Sequence, residues 1–501
     1  MVEPAFAAFA ERHAAGEASL VVERLIADLE TPVSAFLKLS AGRRGRCFLL
    51  ESIEGGATRG RYSMIGLDPD VIFRAAGGKA EIARDALTAP DSFVPCPEPP
   101  LMALRALIAE SRVAPAADAV LPPMAAGVFG YLGYDMVREM ERLAPAKPDP
   151  IGVPEALFLR PTVTVIFDNV RDEISVVTPV RPAGGETART AYARAEVRLA
   201  EVIATLAGAL PPGVAAGRGK SGTAVTPQSN TPPERYEAMV ETAKEYIRAG
   251  DIFQVVLSQR FSAPFAPPAF ALYRALRRIN PAPYLCFLDF GDFQIVCSSP
   301  EILVRVRDGK VTIRPIAGTR PRGATKAEDN ALAAELLADE KECAEHLMLL
   351  DLGRNDVGRV AAIATVSVTE RFAIERYSHV MHIVSNVEGT LDAKHDAIDA
   401  LAAGFPAGTV SGAPKVRAME IIDELEADKR GIYAGCIGYF GASGETDTCI
   451  ILRTAVVKDG TMHVQAGAGI VYDSSPASEL QECRNKAQAL FRAAEEATRF
   501  G

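Results

Sequence analysis

The stretch that decides the fold begins with Phe405-Pro-Ala-Gly-Thr-Val-Ser-Gly-Ala-Pro-Lys415, continues with Gln465-Ala-Gly-Ala-Gly-Ile-Val471 and closes with Glu479-Leu-Gln-Glu482-Cys-Arg-Asn-Lys486. It combines two glycine-rich segments with two glutamates at helical spacing. Arg453 stands between the glycine-rich segments, inside the apolar run Cys-Ile-Ile-Leu-Arg-Thr-Ala-Val-Val. Glycines where a ligand approaches the backbone, an arginine that binds carboxylates and a carboxylate pair on a helix are parts of a pocket for an anionic substrate.

The chain around this stretch alternates between helix and strand patterns. Apolar residues at helical spacing predict helices at 234–249, 269–279, 329–352, 414–425 and from Pro476 onward. We expect the helix at 329–352 to be broken near Asp339 and to end at Gly353. Short apolar or alternating runs predict strands at 253–258, 284–290, 294–298, 302–307, 311–316, 432–440, 448–457 and 462–472.

Residues 1–206 show several strand patterns and few helices. Strands are predicted at 47–50, 163–167 and 172–177, and helices at 101–111 and 190–206. Strands with few helices between them favour a largely antiparallel sheet. Gly, Pro, Ser and Thr dominate residues 207–233, which predicts a linker or mobile loop. We therefore divide the chain into an N-terminal domain, 1–206, the linker, 207–233, and a second domain, 234–501.

The composition argues against several classes of protein. A formal net charge of −10 makes a nucleic-acid partner unexpected, because phosphate binding needs a cationic surface. None of the eight cysteines forms a C-x-x-C pair, which favours reduced, buried cysteines in a cytoplasmic protein. No apolar run has the length of a membrane span and no signal peptide is recognised, so we expect no membrane association.

Two pairs of glutamates lie at helical spacing, Glu342 with Glu345 and Glu479 with Glu482. Residues three apart share one face of a helix, and a single pair of this kind is most often a solvated helix face. If the two pairs face each other, four carboxylates cannot all stay ionised without a cation. Oxygen-only ligands with open positions for water suit Mg²⁺.

Other motifs have a structural and a functional interpretation. Arg453 is either a salt-bridged structural residue or a clamp for a carboxylate. Gly467 and Gly469 mark either the close approach of a ligand or a β-bulge. The sequence has no H-E-x-x-H, G-x-S-x-G or G-x-C-x-G motif. We therefore expect neither a zinc hydrolase nor a Ser or Cys nucleophile for acyl transfer.

Taken together, these segments resemble the chorismate-utilising enzymes, and most closely the family of large synthase subunits of anthranilate synthase. The resemblance begins at Leu49-Leu-Glu-Ser52 and covers nearly the whole chain. It is most specific in Pro315-Ile-Ala-Gly-Thr-Arg-Pro-Arg-Gly323 and in Glu345-His-Leu-Met-Leu-Leu-Asp-Leu-Gly-Arg-Asn-Asp356. It implies an α+β fold, an α/β sandwich of two large, mainly antiparallel sheets flanked by helices, with the chorismate-binding catalytic domain at 234–501.

Three positions discriminate within this family. Relatives that add water to chorismate carry lysine where this chain has Gln254, whereas an ammonia nucleophile needs less help from a base. Relatives that form 4-amino-4-deoxychorismate carry lysine in place of Ala317 and usually serine in place of Thr409. The resemblance therefore implies a lyase that converts chorismate and ammonia to anthranilate and pyruvate, the first step from chorismate to tryptophan. A 4-amino-4-deoxychorismate synthase component I is the alternative, and a homologue that binds chorismate without turnover is a third hypothesis.

The resemblance also implies roles for individual residues. Glu345 and Glu482 match ligands of Mg²⁺, and Glu342 and Glu479 match residues that hold the water molecules of the metal. His382 matches the histidine linked to the elimination step. The other catalytic candidates are Glu301, Thr409 and Gln254. The positions that match chorismate-binding residues are Gly318, Thr319, Tyr433, Arg453, Gly467, Ala468 and Gly469.

Regulation and a partner follow from the same resemblance. Allosteric relatives bind L-tryptophan in the N-terminal sheet, and the matching residues here are Ser52, Pro283, Tyr284 and Leu285. Relatives obtain ammonia from glutamine through a glutaminase that needs an activated cysteine. No cysteine here has that context, and the last predicted helix runs almost to Gly501. We therefore expect a separate glutamine amidotransferase subunit, component II of an anthranilate synthase, as the partner.

Overall fold

The computed structural model describes residues 2–43, 45–54, 58–114, 121–212, 226–377 and 380–500. Short 3-10 segments occur at Pro123–Ala125, Tyr134–Glu139 and Gly408–Val410. The α-helices of the described residues are α1 (Phe6–Ala14), α2 (Pro32–Ser40), α3 (Pro100–Glu110), α4 (Ala188–Ala207), α5 (Pro233–Ala249), α6 (Ala269–Ile279), α7 (Lys326–Ala338), α8 (Glu340–Gly358), α9 (Ala397–Gly404), α10 (Lys415–Leu425) and α11 (Pro476–Ala497).

The strands carry most of the buried apolar residues. In the part of the chain that the structure describes they are β1 (Ser19–Ile26), β2 (Cys47–Glu54), β3 (Thr58–Ala76), β4 (Lys79–Ala83), β5 (Val94–Pro95), β6 (Gly127–Leu132), β7 (Ala156–Asp168), β8 (Glu173–Val180), β9 (Gln228–Ser229), β10 (Gln254–Pro264) and β11 (Tyr284–Asp289). The remaining strands are β12 (Phe293–Ser299), β13 (Ile302–Arg307), β14 (Lys310–Ile313), β15 (Ile316–Pro321), β16 (Ser367–Arg376), β17 (Val380–Thr390), β18 (Gly412–Ala413), β19 (Cys436–Gly441), β20 (Thr446–Ile450), β21 (Thr454–Lys458) and β22 (Thr461–Ile470).

The long strands β3 and β7 are shared by two sheets. They pair with each other from Tyr62 opposite Asp168 to Ala75 opposite Ala156. The first sheet continues from β3 through β2, β11, β12, β21 and β22 to β10, and β8 and β1 extend it beside β7. The second sheet continues from β7 through β6, β19, β20, β13 and β14 to β17, which β15 and β16 flank. All of these ladders are antiparallel.

The two sheets pack face to face over an apolar core. Phe48 of the first sheet and Phe129 of the second are both fully buried, and their ring centroids lie 4.9 Å apart. Cys297 of β12 and Ile437 of β19 belong to the same core cluster. Helices cover the outer faces: α6 and α11 contact the first sheet, and α8 and α9 contact the second. The expected α+β sandwich of two large antiparallel sheets flanked by helices is confirmed, with the addition that β3 and β7 join the sheets.

Most of the predicted elements agree with the structure, and three differ from it, of which the first is the strand predicted at 311–316, which is divided between β14 and β15. The helix break at Asp339 is confirmed, because its carboxylate accepts hydrogen bonds from the backbone N–H groups of Lys341 and Glu342 at 3.1 and 3.2 Å and so caps α8. The predicted end at Gly353 is wrong, since α8 continues to Gly358. Gly353 is buried in that helix, where a Cβ atom would lie 3.5 Å from the side chain of Ile313. The predicted strand at 448–457 is also wrong, because it divides into β20 and β21.

Strands from both sides of the linker pair with each other, β2 with β11 and β6 with β19. The division of the chain at 207–233 stays a prediction about the sequence. Part of that segment, 213–225, lies outside the described residues. No described helix is long and apolar enough to cross a membrane.

The close approach of β6 to β7, a strand that both sheets share, predicts how a substitution there changes stability. Gly130 of β6 lies so close to β7 that a Cβ atom would sit 1.9 Å from the carbonyl oxygen of Leu157. We expect Gly130→Ala to lower the free energy of unfolding by about 1–3 kcal/mol or more, because the backbone of β7 cannot move aside alone. Gly184→Ala is the matched control, since a Cβ atom there meets nothing within 4 Å. Equal urea midpoints for the two variants would contradict this account of the junction.

Candidate active site

The predicted functional residues converge where the two sheets meet α8 and α11. Glu345 lies on α8, which contacts β15 and β17 of the second sheet, and Glu482 lies on α11, which contacts β10 and β22 of the first. Gln254 begins β10, and Gly467, Ala468 and Gly469 lie on β22, paired with Ser258, Leu257 and Val256 of β10.

The four glutamates form a region of mutual repulsion. Burial raises the pKa of Glu345, and the charges of Glu342 and Glu482 add to this effect, while a hydrogen bond from Gln254 and the charge of Lys486 oppose it. Burial likewise raises the pKa of Glu479, and repulsion from Glu482 contributes. Within the described ranges, no three carboxylates bring ligand oxygens within 4.8 Å of one another. The effect of the Glu482 charge on the pKa of Glu345 indicates that carboxylates of α8 and α11 lie near each other.

Lys486 is a site residue for which the sequence analysis assigned no role. Its Nζ lies 2.7 Å from Glu482 Oε1 and donates a hydrogen bond to the carbonyl oxygen of Gly467 at 3.0 Å. It follows Glu482 by four residues on the same helix, and from this spacing the sequence could have predicted the ion pair between them. Arg320 in turn lies 3.4 Å from Glu342 Oε1.

Gln254 connects β10 to the metal candidates. It is buried, and its Nε2 donates to Glu345 Oε1 at 3.2 Å, while its Oε1 has no hydrogen-bond partner. A Cβ atom at Gly469 would lie 2.5 Å from Gln254 Nε2, so a larger residue there would displace this amide. The buried amide thus presents an unpaired acceptor beside a carboxylate.

Gly318 and Thr319 of β15 hold His382 in one tautomer. Its Nδ1 lies 2.9 Å from the carbonyl oxygen of Gly318, which can only accept, so Nδ1 carries the hydrogen. The hydroxyl of Thr319 lies 3.1 Å from the same nitrogen. Burial lowers the pKa of His382, and the charge of Arg453 contributes. The ring is therefore neutral at neutral pH, with Nε2 available as a base.

Glu301 and Thr409 form a buried pair. The hydroxyl of Thr409 donates to Glu301 Oε1 at 3.1 Å. Burial raises the pKa of Glu301 to about 8, although the hydrogen bond from Thr409 and the charge of Arg453 act in the opposite direction. A carboxyl group with this pKa carries a proton at neutral pH.

Arg453 lies in the break between β20 and β21, not within a strand as predicted. Its φ of 47° is in the left-handed region, which disfavours a residue with a Cβ atom. Burial lowers the pKa of Arg453, which the charge of Glu301 partly offsets. In the part of the chain that the structure describes, its guanidinium forms no ion pair within 4.0 Å. This strained turn therefore holds a desolvated cation beside Glu301.

Tyr433 and β22 line another side of the candidate active site. The backbone N–H of Gly467 donates to the hydroxyl of Tyr433, and a Cβ atom at Gly467 would lie 3.0 Å from that oxygen. Ala468 is fully buried in the core under the strand, so its backbone and not its methyl group can face a ligand.

A buried ion pair between Glu426 and Arg430 supports β10, Tyr433 and the turn at Val410. No sequence motif indicated this pair. Arg430 Nη2 lies 2.6 Å from Glu426 Oε1 and donates to the carbonyl oxygen of Val256 at 2.6 Å, and Nη1 donates to that of Val410 at 2.6 Å. The guanidinium also lies 5.6 Å from the ring centroid of Tyr433. Lys415, which ends the quoted glycine-rich segment, instead forms a buried ion pair with Asp356 of α8 at 2.9 Å.

A cavity of about 560 Å³ lies between the two sheets. Ser52, Pro283 and Tyr284 line it, together with Met64 and Tyr439. Leu285 faces the opposite side of β11 and belongs to the outer core, because successive residues of a strand point to opposite faces. The structure thus brings three of the four predicted regulatory residues to one cavity.

Comparison with known proteins identifies relatives that match this chain over nearly its full length. The profile of the family described as chorismate binding enzyme matches residues 45–492. Anthranilate synthase component 1 of Cereibacter sphaeroides is 56% identical over 495 residues, 99% of this chain and 98% of that protein. The protein of the same name from Pseudomonas putida is 49% identical over 474 residues, 93% of each chain. The crystal structure of anthranilate synthase component I from Streptococcus pneumoniae has a TM-score of 0.77 and 37% identity, over 94% of this chain and 99% of that one.

The raised pKa of Glu301 predicts a pH dependence of stability. Between its unfolded pKa, about 4.3, and about 8 the folded state binds a proton that the unfolded state has released, so the free energy of unfolding falls as pH rises through this window. Glu301→Gln should remove this decline, on the order of a few kcal/mol. Urea unfolding across the window measures it, and Glu11→Gln, at an exposed position on α1, is the control. Parallel pH profiles for wild type and Glu301→Gln would contradict the assignment.

Proposed function

Because the chain belongs to the chorismate binding enzymes, we propose that it converts chorismate and ammonia to anthranilate and pyruvate. The observation that carries this proposal is similarity over nearly the full chain to proteins named anthranilate synthase component 1. The same similarity supports this function over that of a 4-amino-4-deoxychorismate synthase. An amide at Gln254, with no basic group in its place, fits ammonia better than water as the nucleophile.

Arg453 is the proposed anchor for a carboxylate of chorismate. A desolvated guanidinium without an internal ion pair gains most from a charged ligand. Gly318, Gly467 and Gly469 would let the substrate approach the backbone, and Thr319 and Tyr433 would contribute hydroxyl groups. This combination supports recognition of a planar ring that carries an anionic group.

Glu345 and Glu482 are the proposed ligands of Mg²⁺, with Glu342 and Glu479 holding its water molecules. The residues fit this ion, because all four side chains offer oxygen donors and because burial and the charges of Glu342 and Glu482 raise the pKa of Glu345, which a bound cation would counteract. A bound Mg²⁺ would hold the ring carboxylate of chorismate and stabilise negative charge during the reaction. Lys486 would give up its contact with Glu482 or share that carboxylate with the ion.

Glu301 is the proposed acid of the amination step. Its proton at neutral pH could pass to the C4 hydroxyl as ammonia adds at C2, and Thr409 would orient the carboxyl group. The unpaired Oε1 of Gln254 would accept a hydrogen bond from the incoming ammonia.

His382 is the proposed base of the elimination step. Its Nδ1 hydrogen is bound to Gly318, so Nε2 is free to take the C2 proton as pyruvate leaves. Loss of that proton makes the ring aromatic, which drives the step forward.

A glutamine amidotransferase subunit, component II of an anthranilate synthase, is the proposed source of ammonia. Ammonia is mostly protonated at neutral pH and is then not nucleophilic. The described cysteines are buried or partly buried within strands, helices and one loop, which is not the setting of an exposed, activated nucleophile.

The cavity between the sheets is the proposed site for L-tryptophan as an inhibitor. Its volume, about 560 Å³, lies in the range of small-molecule pockets. Met64, Tyr284 and Tyr439 offer apolar and aromatic surface, and Arg305 and Asp447 at the same cavity offer charges for an amino acid. Inhibition would follow if the ligand favours one relative position of the two sheets.

The assay that tests the proposed function uses chorismate, Mg²⁺ and an ammonium salt at alkaline pH. The purified chain should form fluorescent anthranilate and pyruvate in equal amounts, and should not use glutamine until the amidotransferase is added. EDTA or Glu345→Gln should abolish turnover, while Glu340→Gln, exposed on the same helix, should retain it. A non-fluorescent aminated product without pyruvate would instead identify the 4-amino-4-deoxychorismate reaction and overturn the proposal.

The tryptophan proposal predicts the effect of filling the cavity. Ser52→Phe should raise the tryptophan concentration for half-inhibition at least about tenfold, because a loss of about 1.4 kcal/mol of binding energy gives that factor. Turnover without tryptophan should change little. Leu285→Met is the matched control on the face of β11 turned away from the cavity, and its sensitivity should stay normal. Unchanged inhibition of Ser52→Phe would exclude this cavity as the site.

A further inference from the structure

Three cysteine thiols meet in the core between the two sheets. Cys286 lies on β11, Cys297 on β12 and Cys449 on β20. Their sulfur atoms all lie within 4.8 Å of one another, and the residues are 4%, 0% and 1% exposed. This is the only group of three or more potential metal ligands at such distances among the described residues.

The sheet register explains why the thiols converge. Cys286 is directly opposite Cys297 in the β11–β12 ladder, so both side chains point to the same face. Cys449 points toward them from the facing sheet, as part of the same core cluster. Cys436 lies beside the β20 partner of Cys449, Ile437, and therefore points to the outer core.

Two of the three buried thiols border a cavity. The cavity between the sheets gives access, because Cys286 and Cys449 both line it.

The arrangement is close to the geometry of a sulfur-coordinated ion. Thiolates at about 2.3 Å from a metal are roughly 3.8–4.0 Å from each other, so the sulfurs would need to move little. A donor set of sulfur alone selects soft ions over Mg²⁺, which prefers oxygen. Arg305 and Asp447, which form an ion pair with an Nε to Oδ2 distance of 2.9 Å, border the same cavity.

We propose that Cys286, Cys297 and Cys449 together bind one soft, thiophilic metal ion, with Cd²⁺ as its experimental representative. Binding would release the thiol protons and join β11 and β12 to β20 across the core. The site is distinct from the carboxylates of α8 and α11, and it does not depend on the proposed reaction.

Titration of the reduced protein with Cd²⁺ alone, without oxygen and in excess Mg²⁺, tests this site. One equivalent should produce the ultraviolet thiolate-to-cadmium charge-transfer band, release protons and raise the thermal midpoint, because the ion binds the folded state. Cys449→Ala should lose all three effects. Cys436→Ala, also buried but facing the outer core, should keep them.

Folding of each variant is checked by circular dichroism, and Cys297→Ala provides a second test if Cys449→Ala does not fold. A saturated band of unchanged height in either cluster variant would overturn the proposal, as would no band in the wild type. If Cd²⁺ has no effect but peroxide consumes the Cys286 and Cys297 thiols as one disulfide, the cluster is a redox pair and the metal site is rejected.

Discussion

The buried ion pair between Glu426 and Arg430 is the interaction on which the rest of the site depends. Both side chains are almost fully inaccessible, and each charge is compensated by further hydrogen bonds, from the backbone N–H and the hydroxyl of Ser258 to Glu426 and from Arg430 to the carbonyl groups of Val256 and Val410. Removing one partner of such a pair typically costs about 3–5 kcal/mol, because the other charge stays buried. The pair thereby ties β10, which carries Gln254, to the turn that carries Thr409.

Negative and positive side chains occupy different parts of the site around this ion pair. Carboxylates of α8 and α11 gather on one side, and Arg453 lies on the other beside the protonated Glu301. If these carboxylates bind a cation as proposed, an anionic substrate would lie between that cation and the guanidinium of Arg453. Between them lie groups in the protonation states that the proposed proton transfers need, a neutral imidazole and a neutral carboxyl group.

Much of the fold and of the site could be predicted because local signals agree with the tertiary structure. The helix Ala269–Ile279 and the hairpin of β11 and β12 follow from periodicity and turn residues alone. The break at Arg453 could not be predicted, because an apolar run reads as one continuous strand and a left-handed residue has no sequence signal here. Arg430 was missed since its role depends on carbonyl groups that only the tertiary structure brings near. Leu285 was assigned to the regulatory site by resemblance, but its side chain points to the face of β11 opposite the cavity, because successive residues of a strand alternate between faces.

We propose above all that the glutamates of α8 and α11 form a binding site for a divalent cation. Anomalous diffraction from crystals grown with Mn²⁺ and benzoate, which supplies a ring carboxylate, tests it most directly. The account predicts one strong peak between Glu345 and Glu482, with the benzoate carboxylate beside it. A peak elsewhere, or none while both carboxylates keep only their protein partners, would contradict it.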